Sequence, residues 1–335
     1  MGHSDFTTAL LQWFAQYGRE LPWRGITDPY GIWVSEVILQ QTRIEQGRDY
    51  WLRFIERFPT VEALAAASED EVLLQWQGLG YYSRARNMHA AARQIVARGG
   101  FPRTIEGLRA LKGVGDYTAA AVGSMAFGLP AAAVDGNVYR VLARHYGIDV
   151  PINTTRGKHT FEALARELLP HDKASAFNQA MMDFGATWCI PRSPRCIDCP
   201  VAGTCDALHT GRVESLPVKE KKLKVKERRF SYIYIRHEGK TALRRRPAGD
   251  IWQGLWEPLF IEDAPLPDLG CPVTLLASGV KHVLTHRVLL ADFYLAEPRE
   301  RPALPEGYIW IDERSLADYA VPRLVERLLE ILSRI

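Results

Sequence analysis

Four cysteines lie close together in the chain, and their spacing restricts the local fold more than any other feature. The pattern is C-x6-C-x2-C-x5-C, and its members are Cys189, Cys196, Cys199 and Cys205. Four thiolates in one loop can close around Zn²⁺ or around an iron–sulfur cluster. Structural zinc usually uses two short pairs, whereas this loop has one short pair and a long first gap. The spacing therefore favours a [4Fe–4S] cluster over zinc.

Four protein ligands leave no open coordination position for a substrate. The predicted cluster is therefore structural or electron-carrying rather than hydrolytic. Clustered cysteines in a cytosolic chain more often mark a metal site than a disulfide framework. The fifth cysteine, Cys271, stands apart from the others in the sequence and is expected to lie outside the cluster.

The composition is that of an ordinary globular protein. The chain has 335 residues, of which 47% are apolar and 24% are charged, and this excludes a disordered or fibrous chain. Its length predicts two domains or three. No run of 18 apolar residues predicts a membrane span, and the N-terminus lacks a secretory signal pattern. A cytoplasmic protein is expected.

The first 210 residues have apolar residues at helical spacing, which predicts an all-α domain. Asp28 and Pro29 offer an N-cap followed by proline at the first helical position. Further helices are predicted around residues 5–17, 45–57, 69–77, 84–97, 116–127, 137–146, 157–168 and 174–187.

A basic segment and a second domain follow the cysteines. Residues 212–229 carry eight basic and three acidic side chains, whose net charge of +5 exceeds the +3 of the whole chain. Residues 211–229 are predicted to be a linker, either solvated or passing over a phosphate backbone. Residues 230–335 contain strand patterns at 230–235, 288–295 and 308–311 and a helix pattern at 322–335. They predict a separate α+β domain.

Two glycines between predicted helices point to a phosphate-binding turn. Gly113 and Gly115 permit a tight turn with exposed backbone amides just before the helix that begins at Asp116. Amides at a helix N-terminus form an anion site that suits a DNA phosphate. The alternative is a plain turn between two helices.

Two carboxylates, Glu36 and Asp135, are candidate catalytic residues. Asp135 could simply cap the helix that follows it, but one helix and one loop separate it from the hairpin, which would bring it toward bound DNA. Glu36 lies among apolar residues of a helix, so its pKa should be raised, as in a general acid. A Glu paired with an arginine is the alternative. A raised-pKa acid together with a solvated, ionised acid is the pair that cleavage of an N-glycoside requires.

Several sequence blocks together resemble the helix-hairpin-helix DNA glycosylase superfamily, and within it the adenine DNA glycosylase (MutY) family. The cysteine spacing also occurs in the sister endonuclease III family, whereas the block at 33–42 is much more specific to the adenine enzymes. Besides the hairpin and the cysteines, the blocks are residues 21–24, 33–42, 78–87, 135–137 and 178–183.

The resemblance implies a fold, a reaction and roles for individual residues. Glu36 would protonate N7 of adenine and later activate water, while Asp135 would stabilise or capture the sugar cation. Tyr117 and Asn137 would orient Asp135 and the reacting groups. The residues implied to contact DNA are Arg24 at the pocket, Gln41 and Tyr81 as wedges during base flipping, and Gly113 and Gly115 at the hairpin.

Tyr117 also distinguishes the reaction type. Bifunctional members of the superfamily have a Schiff-base lysine at this position, so the resemblance implies a monofunctional enzyme. The alternatives are a pyrimidine-lesion glycosylase/lyase of the endonuclease III type and a non-catalytic protein that scans DNA. The implied partner is duplex DNA with adenine opposite 8-oxoguanine or guanine, bound by a monomer at the bacterial nucleoid.

The resemblance extends to a Nudix-like C-terminal domain through residues 251–258. The glutamate run of a working Nudix hydrolase is missing from the sequence, so pyrophosphatase activity is not expected. The family reads 8-oxoguanine with a Phe-Ser-His tripeptide, and this chain has Leu284, Thr285 and His286 there. Thr285 and His286 keep groups that can form hydrogen bonds to the oxidised base, whereas Leu284 lacks an aromatic ring.

Overall fold

A computed structural model describes residues 3–220, 226–284 and 286–335. The chain divides into two compact units, the first made of residues 1–65 and 90–221 and the second of residues 66–89 and 222–335. The sequence predicted a single boundary near residues 211–229. Instead, residues 66–89 belong to the second unit, because Glu69 pairs with Arg245 and Gln77 accepts a hydrogen bond from the Val321 amide.

Helices make up most of the chain before the basic segment, as the sequence predicted. They are α1 His3–Tyr17, α2 Pro29–Ile38, α3 Ile44–Arg57, α4 Val61–Ala66, α5 Glu69–Gln75, α6 Ser83–Ala97, α7 Ile105–Arg109, α8 Asp116–Phe127, α9 Gly136–His145, α10 Thr155–Leu168, α11 Ala174–Thr187 and α12 Asp206–His209. In the described residues, none of the helices is both long and apolar enough to cross a membrane.

Local sequence signals explain where these helices begin. Asp28 caps α2 by accepting hydrogen bonds from the amides of Tyr30 and Gly31, and Pro29 is the first helical residue. The predicted start of this helix is confirmed. The predictions missed α4, α7 and α12, because helices of six, five and four residues are too short to show a 3.6-residue period.

Two packing arrangements in the first unit position the candidate site. Apolar residues of α1, α9, α10 and α11 form one core, in which Leu10, Phe161 and Phe184 are fully buried. Elsewhere, α8 packs against α2. The buried face of α8 is rich in alanine, including Ala119 and Ala121, which permits a close approach of the two helices.

The second unit contains a seven-stranded sheet and a C-terminal helix. The strands have the order β3-β2-β1-β6-β5, with β4 also paired to β1 and β7 to β2. They are β1 Lys226–His237, β2 Lys240–Arg245, β3 Trp256–Glu257, β4 Leu259–Glu262, β5 Val273–Val283, β6 Arg287–Ala296 and β7 Tyr308–Asp312, followed by α13 Arg323–Leu332.

All three predicted strand patterns lie in strands, and the C-terminal helix is confirmed. The first strand begins at Lys226, inside the segment predicted as linker, because residues 226–235 pair in parallel with β6. The sequence did not predict β2, β3, β4 or β5, and the longest of these is β5. Two register irregularities and a left-handed Gly279 (φ 64°) interrupt its alternation, and it lies at the edge of the sheet.

Candidate active site

Glu36 is a buried carboxyl in the middle of α2, with 7% of its surface exposed. Burial raises its pKa to about 7, the nearby Asp135 carboxyl adds to the rise, and a hydrogen bond from Tyr117 opposes it. The Tyr117 hydroxyl on α8 donates to Glu36 Oε2 at 2.6 Å. The raised pKa predicted from the apolar neighbours of Glu36 is confirmed. The family resemblance implied that Tyr117 orients Asp135 and the reacting groups, and its observed hydrogen bond is to Glu36.

Asp135 stands at the start of α9 and serves as its N-cap. Its Oδ1 accepts hydrogen bonds from the amides of Asn137 at 2.9 Å and Val138 at 2.8 Å. Its Oδ2 accepts from Asn137 Nδ2 at 2.7 Å, which agrees with the orienting role implied for Asn137. The expectation of a solvated carboxylate is wrong. Asp135 is half-buried, and burial raises its pKa against the opposing effect of these hydrogen bonds and of Arg140.

Glu36 and Asp135 line one cavity of about 1030 Å³ in the first unit. Capping a helix and facing this cavity are therefore compatible roles for Asp135. The other predicted site residues that line it are Tyr117, Asn137, Gln41 and Arg24.

The same cavity has a charged wall formed around Asp183. From the sequence, residues 178–183 were identified only as one of the blocks that resemble the family. Asp183 of α11 is buried, and it accepts hydrogen bonds from Arg24 Nη1 at 2.8 Å and Arg19 Nε at 3.0 Å. Arg24 Nε also donates to Gln179 Oε1 at 2.9 Å. This network holds Arg24 and Gln179 at the cavity. The donors of this network, Arg19 and Arg24, lie far in sequence from the acceptors at 178–183. A local sequence pattern therefore could not predict the network.

Arg140 connects Asp135 to the cysteine loop. Its Nη2 donates to Asn137 Oδ1 at 2.8 Å and to the Gly185 carbonyl. Its Nε donates to the carbonyl of Cys189 at 2.7 Å. One guanidinium thus fixes both the side chain that holds Asp135 and the start of the loop.

Both predicted wedge residues have left-handed backbone conformations. Gln41 (φ 59°) is exposed on the cavity just after α2, and Tyr81 (φ 46°) is half exposed before α6. Residues other than glycine rarely adopt such angles, and they concentrate at functional sites. Tyr81 belongs to the second compact unit, whereas Gln41 belongs to the first.

The predicted hairpin joins α7 to α8. Gly113 has a left-handed conformation (φ 76°), and the amide of Val114 donates to the Leu111 carbonyl at 3.1 Å. Val114 is buried, whereas Gly113 and Gly115 are exposed. Gly115 is the N-cap of α8 and has no neighbour within 4 Å of the position a Cβ would take. The backbone of the turn is therefore open to a ligand.

The four clustered cysteines follow α11 and line a single cavity with apolar walls. Arg144 extends to this cavity, with Nη1 at 3.5 Å from Cys189 Sγ. Burial raises the pKa of Cys199 to about 12, and the other three cysteines add to the shift. Across the described ranges, no group of three or more His, Cys, Asp or Glu side chains has the arrangement of a metal-ion site. Four thiols facing one cavity beside a guanidinium fit an iron–sulfur cluster by their donor chemistry.

The predicted lesion-reading residues lie between β5 and β6. Leu284 packs against the apolar core of the second unit, and its amide donates to the Arg287 carbonyl at 2.8 Å. His286 is exposed. Thr285, the other predicted contact to the oxidised base, lies outside the described residues.

Comparisons with known proteins agree with this geometry. Residues 34–170 match the model of the HhH-GPD superfamily base excision DNA repair proteins, and residues 231–331 match a NUDIX domain model. The adenine DNA glycosylase of Mus musculus is 42% identical over 226 residues, which are 63% of this chain and 44% of that protein. The chain spans less than half the length of the mammalian relatives it matches.

A bacterial relative is covered more fully. The adenine DNA glycosylase of Buchnera aphidicola subsp. Acyrthosiphon pisum is 34% identical over 254 residues, which are 75% of this chain and 73% of that protein. The chain belongs to the adenine DNA glycosylase family. Among solved structures, a thermostable thymine-DNA glycosylase has a TM-score of 0.58 and 30% identity, and the match covers 62% of this chain and 97% of that one.

Membership of the adenine DNA glycosylase family confirms the resemblance drawn from the sequence blocks. The fold class is confirmed as well, with a helical HhH-GPD region followed by a Nudix-like domain. The HhH-GPD match includes Glu36, Tyr117 and Asp135 but ends before the cysteine loop. The NUDIX match begins within β1 and ends within α13.

Proposed function

We propose that this chain is a monofunctional glycosylase of base excision repair, which hydrolyses the N-glycosidic bond of adenine opposite 8-oxoguanine or guanine. The observation that carries the proposal is the pair of carboxyls, Glu36 and Asp135, on one cavity in a member of the adenine DNA glycosylase family. The cavity is open to an extruded nucleotide, and a mispaired base costs less to extrude than a paired one.

Glu36 acts first as a general acid. With a pKa of about 7, a large share of its carboxyl groups is protonated at neutral pH, and the proton is available for adenine N7. Protonation lets the C1′–N9 bond break with its electron pair leaving on the base. The resulting carboxylate then accepts a proton from the water that attacks the sugar. The hydroxyl of Tyr117 holds the Glu36 carboxyl in position throughout.

Asp135 stabilises or captures the positive charge that develops on the sugar. Hydrogen bonds from the amides of Asn137 and Val138 and from the Asn137 side chain fix the carboxylate at the start of α9. They favour its ionised form against burial. A fixed anion requires little reorganisation as charge develops in the transition state. Tyr117 occupies the position of the lysine of bifunctional relatives, which supports hydrolysis without strand cleavage.

We propose that Cys189, Cys196, Cys199 and Cys205 hold one [4Fe–4S] cluster. When bound, the cluster supplies four cross-links that order the loop after α11. Arg144 lies beside Cys189, with its guanidinium 3.5 Å from the thiol sulfur. Arg140 connects the start of this loop to the Asn137 side chain.

Contacts to duplex DNA are proposed at three places. The exposed amides at Gly113 and Gly115 would bind a backbone phosphate. Gln41 and Tyr81 would fill the stack from which adenine is extruded, and Thr285 and His286 would read the oxidised base. The protein would act as a monomer on DNA in the bacterial cytoplasm, at the nucleoid.

The test is a single-turnover assay of the full chain on a duplex with adenine opposite 8-oxoguanine, with and without alkali. Adenine release with strand breakage only after alkali is expected. Glu36→Gln should reduce release by about 10²–10⁴-fold, because the amide cannot donate the proton, while binding to the duplex is kept. Strand cleavage without alkali, or Glu36→Gln activity within tenfold of the parent, would contradict the proposal.

A further inference from the structure

A carboxylate hub in the second unit, formed by Asp250 and three arginines, lies next to His286, one of the two residues that the proposed function assigns to lesion reading. Asp250 Oδ1 accepts hydrogen bonds from Arg228 Nη1 at 2.6 Å and Arg287 Nη1 at 3.1 Å. Its Oδ2 accepts from Arg228 Nη2 at 2.8 Å and Arg246 Nη2 at 2.9 Å. One half-buried carboxylate therefore binds three guanidiniums, which come from β1, from the chain after β2 and from β6.

The three arginines differ in their other ion pairs. Arg228 also pairs with Glu262 at 2.5 Å, and the buried Arg246 pairs with the buried Glu257. For Arg287, the ion pair observed in the described residues is the one to Asp250. The side chain of Arg287 is 38% exposed, so its position depends on this contact more than on packing.

Arg287 directly follows His286, and the hub therefore connects to His286 through a single peptide bond. Backbone hydrogen bonds hold both Leu284 and His286. The Leu284 amide donates to the Arg287 carbonyl at 2.8 Å, and the Lys226 amide donates to the His286 carbonyl at 3.2 Å. Lys226 begins the strand that also carries Arg228.

The segment after Asp250 also contacts β5, the strand that precedes Leu284. Trp252 lies two residues after Asp250, has a left-handed backbone (φ 60°), and places its ring 5.6 Å from that of His282 on β5. Ile251, Trp252 and Leu284 pack against one apolar core. The conformationally strained loop that begins at Asp250 thus contacts β6 through Asp250 and β5 through Trp252.

We infer that Asp250 is a positioning residue for lesion reading, which holds His286 in place through Arg287. The inference rests on the proposed function. A hydrogen bond to the oxidised base requires its donor and acceptor within a few tenths of an ångström of the correct place. Without Asp250, three guanidiniums face one another, and the Arg287 side chain no longer holds the chain next to His286. Selectivity for 8-oxoguanine over guanine should fall while adenine chemistry remains.

The experiment measures single-turnover rates and binding of the full chain on two duplexes that differ only in 8-oxoguanine or guanine opposite adenine. Asp250→Asn should lower the ratio of the single-turnover rate opposite 8-oxoguanine to the rate opposite guanine by about fivefold. Arg287→Gln should lower this ratio to a similar extent. The double variant should show no further loss, because both changes remove the same contact. Asp250→Glu, which keeps the charge, should restore most of the ratio.

Glu297→Gln is the matched control, since Glu297 forms an exposed ion pair with Arg236 in the same unit. Its ratio should equal that of the parent. A merely structural role for Asp250 would lower the melting temperature and reduce both rates in proportion. The inference would be overturned if both rates fell in proportion or if the ratio stayed unchanged. It would also be overturned if the double variant lowered the ratio by the product of the two single effects. Arg287→Gln keeps the test informative if Asp250→Asn folds poorly.

Different results would contradict the proposed glycosylase function and the positioning role of Asp250. If the parent releases adenine from neither duplex, the proposed function is wrong and the inference falls with it. If the parent releases adenine from both at equal rates, lesion reading is absent and Asp250 has nothing to position. If the parent discriminates and neither single variant changes the ratio, the inference alone is wrong.

Discussion

At the scale of single residues, the environment of Glu36 decides its chemistry. A carboxyl in water has a pKa near 4.5, whereas the α2–α8 contact raises that of Glu36 to about 7. The rise comes mainly from burial, and the Tyr117 hydrogen bond limits it by favouring the charged form. Tyr117 thus orients the acid and lowers the pH at which it loses its proton.

Replacing Tyr117 should therefore move the pH profile in a defined direction. The acid is active when protonated, so the single-turnover rate should fall as pH rises through the pKa of Glu36. In Tyr117→Phe the carboxylate loses a hydrogen bond, its pKa rises, and the falling limb should shift about one unit to higher pH. Tyr139→Phe, which removes another hydroxyl on the cavity wall, is the control and should leave the limb in place. A shift to lower pH would refute this account.

At the scale of elements, helix starts serve two purposes in this chain. Asp28, Ser68, Thr104 and Thr154 cap helices through backbone amides in the way that local sequence predicts. Asp135 uses the same chemistry at α9, but its carboxylate also faces the cavity. Capping therefore fixes the anion at the position where the sugar cation would form.

Asp135→Asn separates the two roles of Asp135. Asparagine is as good an N-cap as aspartate, so the melting temperature should change little. Adenine release should fall by about 10²-fold or more, because the cation loses its counter-charge. Thr154→Ala provides the opposite case. It removes the cap of α10 and should cost about 1 kcal/mol of unfolding free energy without changing the rate. A normal rate for Asp135→Asn would leave capping as its role.

The cysteine loop makes a second prediction at this scale. Purified protein should be brown and contain about four iron and four sulfide per chain. Cys199→Ser should lose iron and bind DNA more weakly, because the loop after α11 is no longer cross-linked. Cys271→Ser should keep the full iron content, since Cys271 packs against a core of the second unit. One zinc and no iron in the parent protein would disprove the cluster assignment.

At the scale of the whole molecule, the chain consists of two compact units that are not two consecutive pieces. Residues 66–89 belong with the C-terminal sheet, where Arg86 donates to the Gln253 carbonyl at 2.6 Å. A truncation near residue 230 would strip these helices of their partners. Point substitutions in the full chain are therefore the cleaner way to assign functions to the second unit.

Thr285→Val tests lesion reading in this way. The proposed hydroxyl accepts a hydrogen bond from N7–H of 8-oxoguanine, a donor that guanine lacks. Losing one such bond costs roughly 1–2 kcal/mol, so the preference for 8-oxoguanine should fall by about tenfold while the rate on adenine opposite guanine stays constant. The ratio of single-turnover rates on the two duplexes gives the answer. An undiminished ratio would show that Thr285 does not read the lesion.

The sequence by itself determined features that depend on near neighbours along the chain. Helical periodicity predicted the long helices, Asp28 and Pro29 predicted the start of α2, and the C-x6-C-x2-C-x5-C spacing placed four thiols in one loop. The apolar residues three and four positions from Glu36 predicted its raised pKa. These properties are local, because a helix or a turn brings together residues that are only a few positions apart.

Only the tertiary structure decided which distant groups meet. Tyr117 reaches Glu36 across 81 positions of sequence, and Arg19 reaches Asp183 across 164. The half-buried state of Asp135, the assignment of residues 66–89 to the second unit and the three arginines around Asp250 belong to the same class. Burial and charge pairing depend on what packs nearby in space, and that is decided when helices and strands far apart in sequence come together.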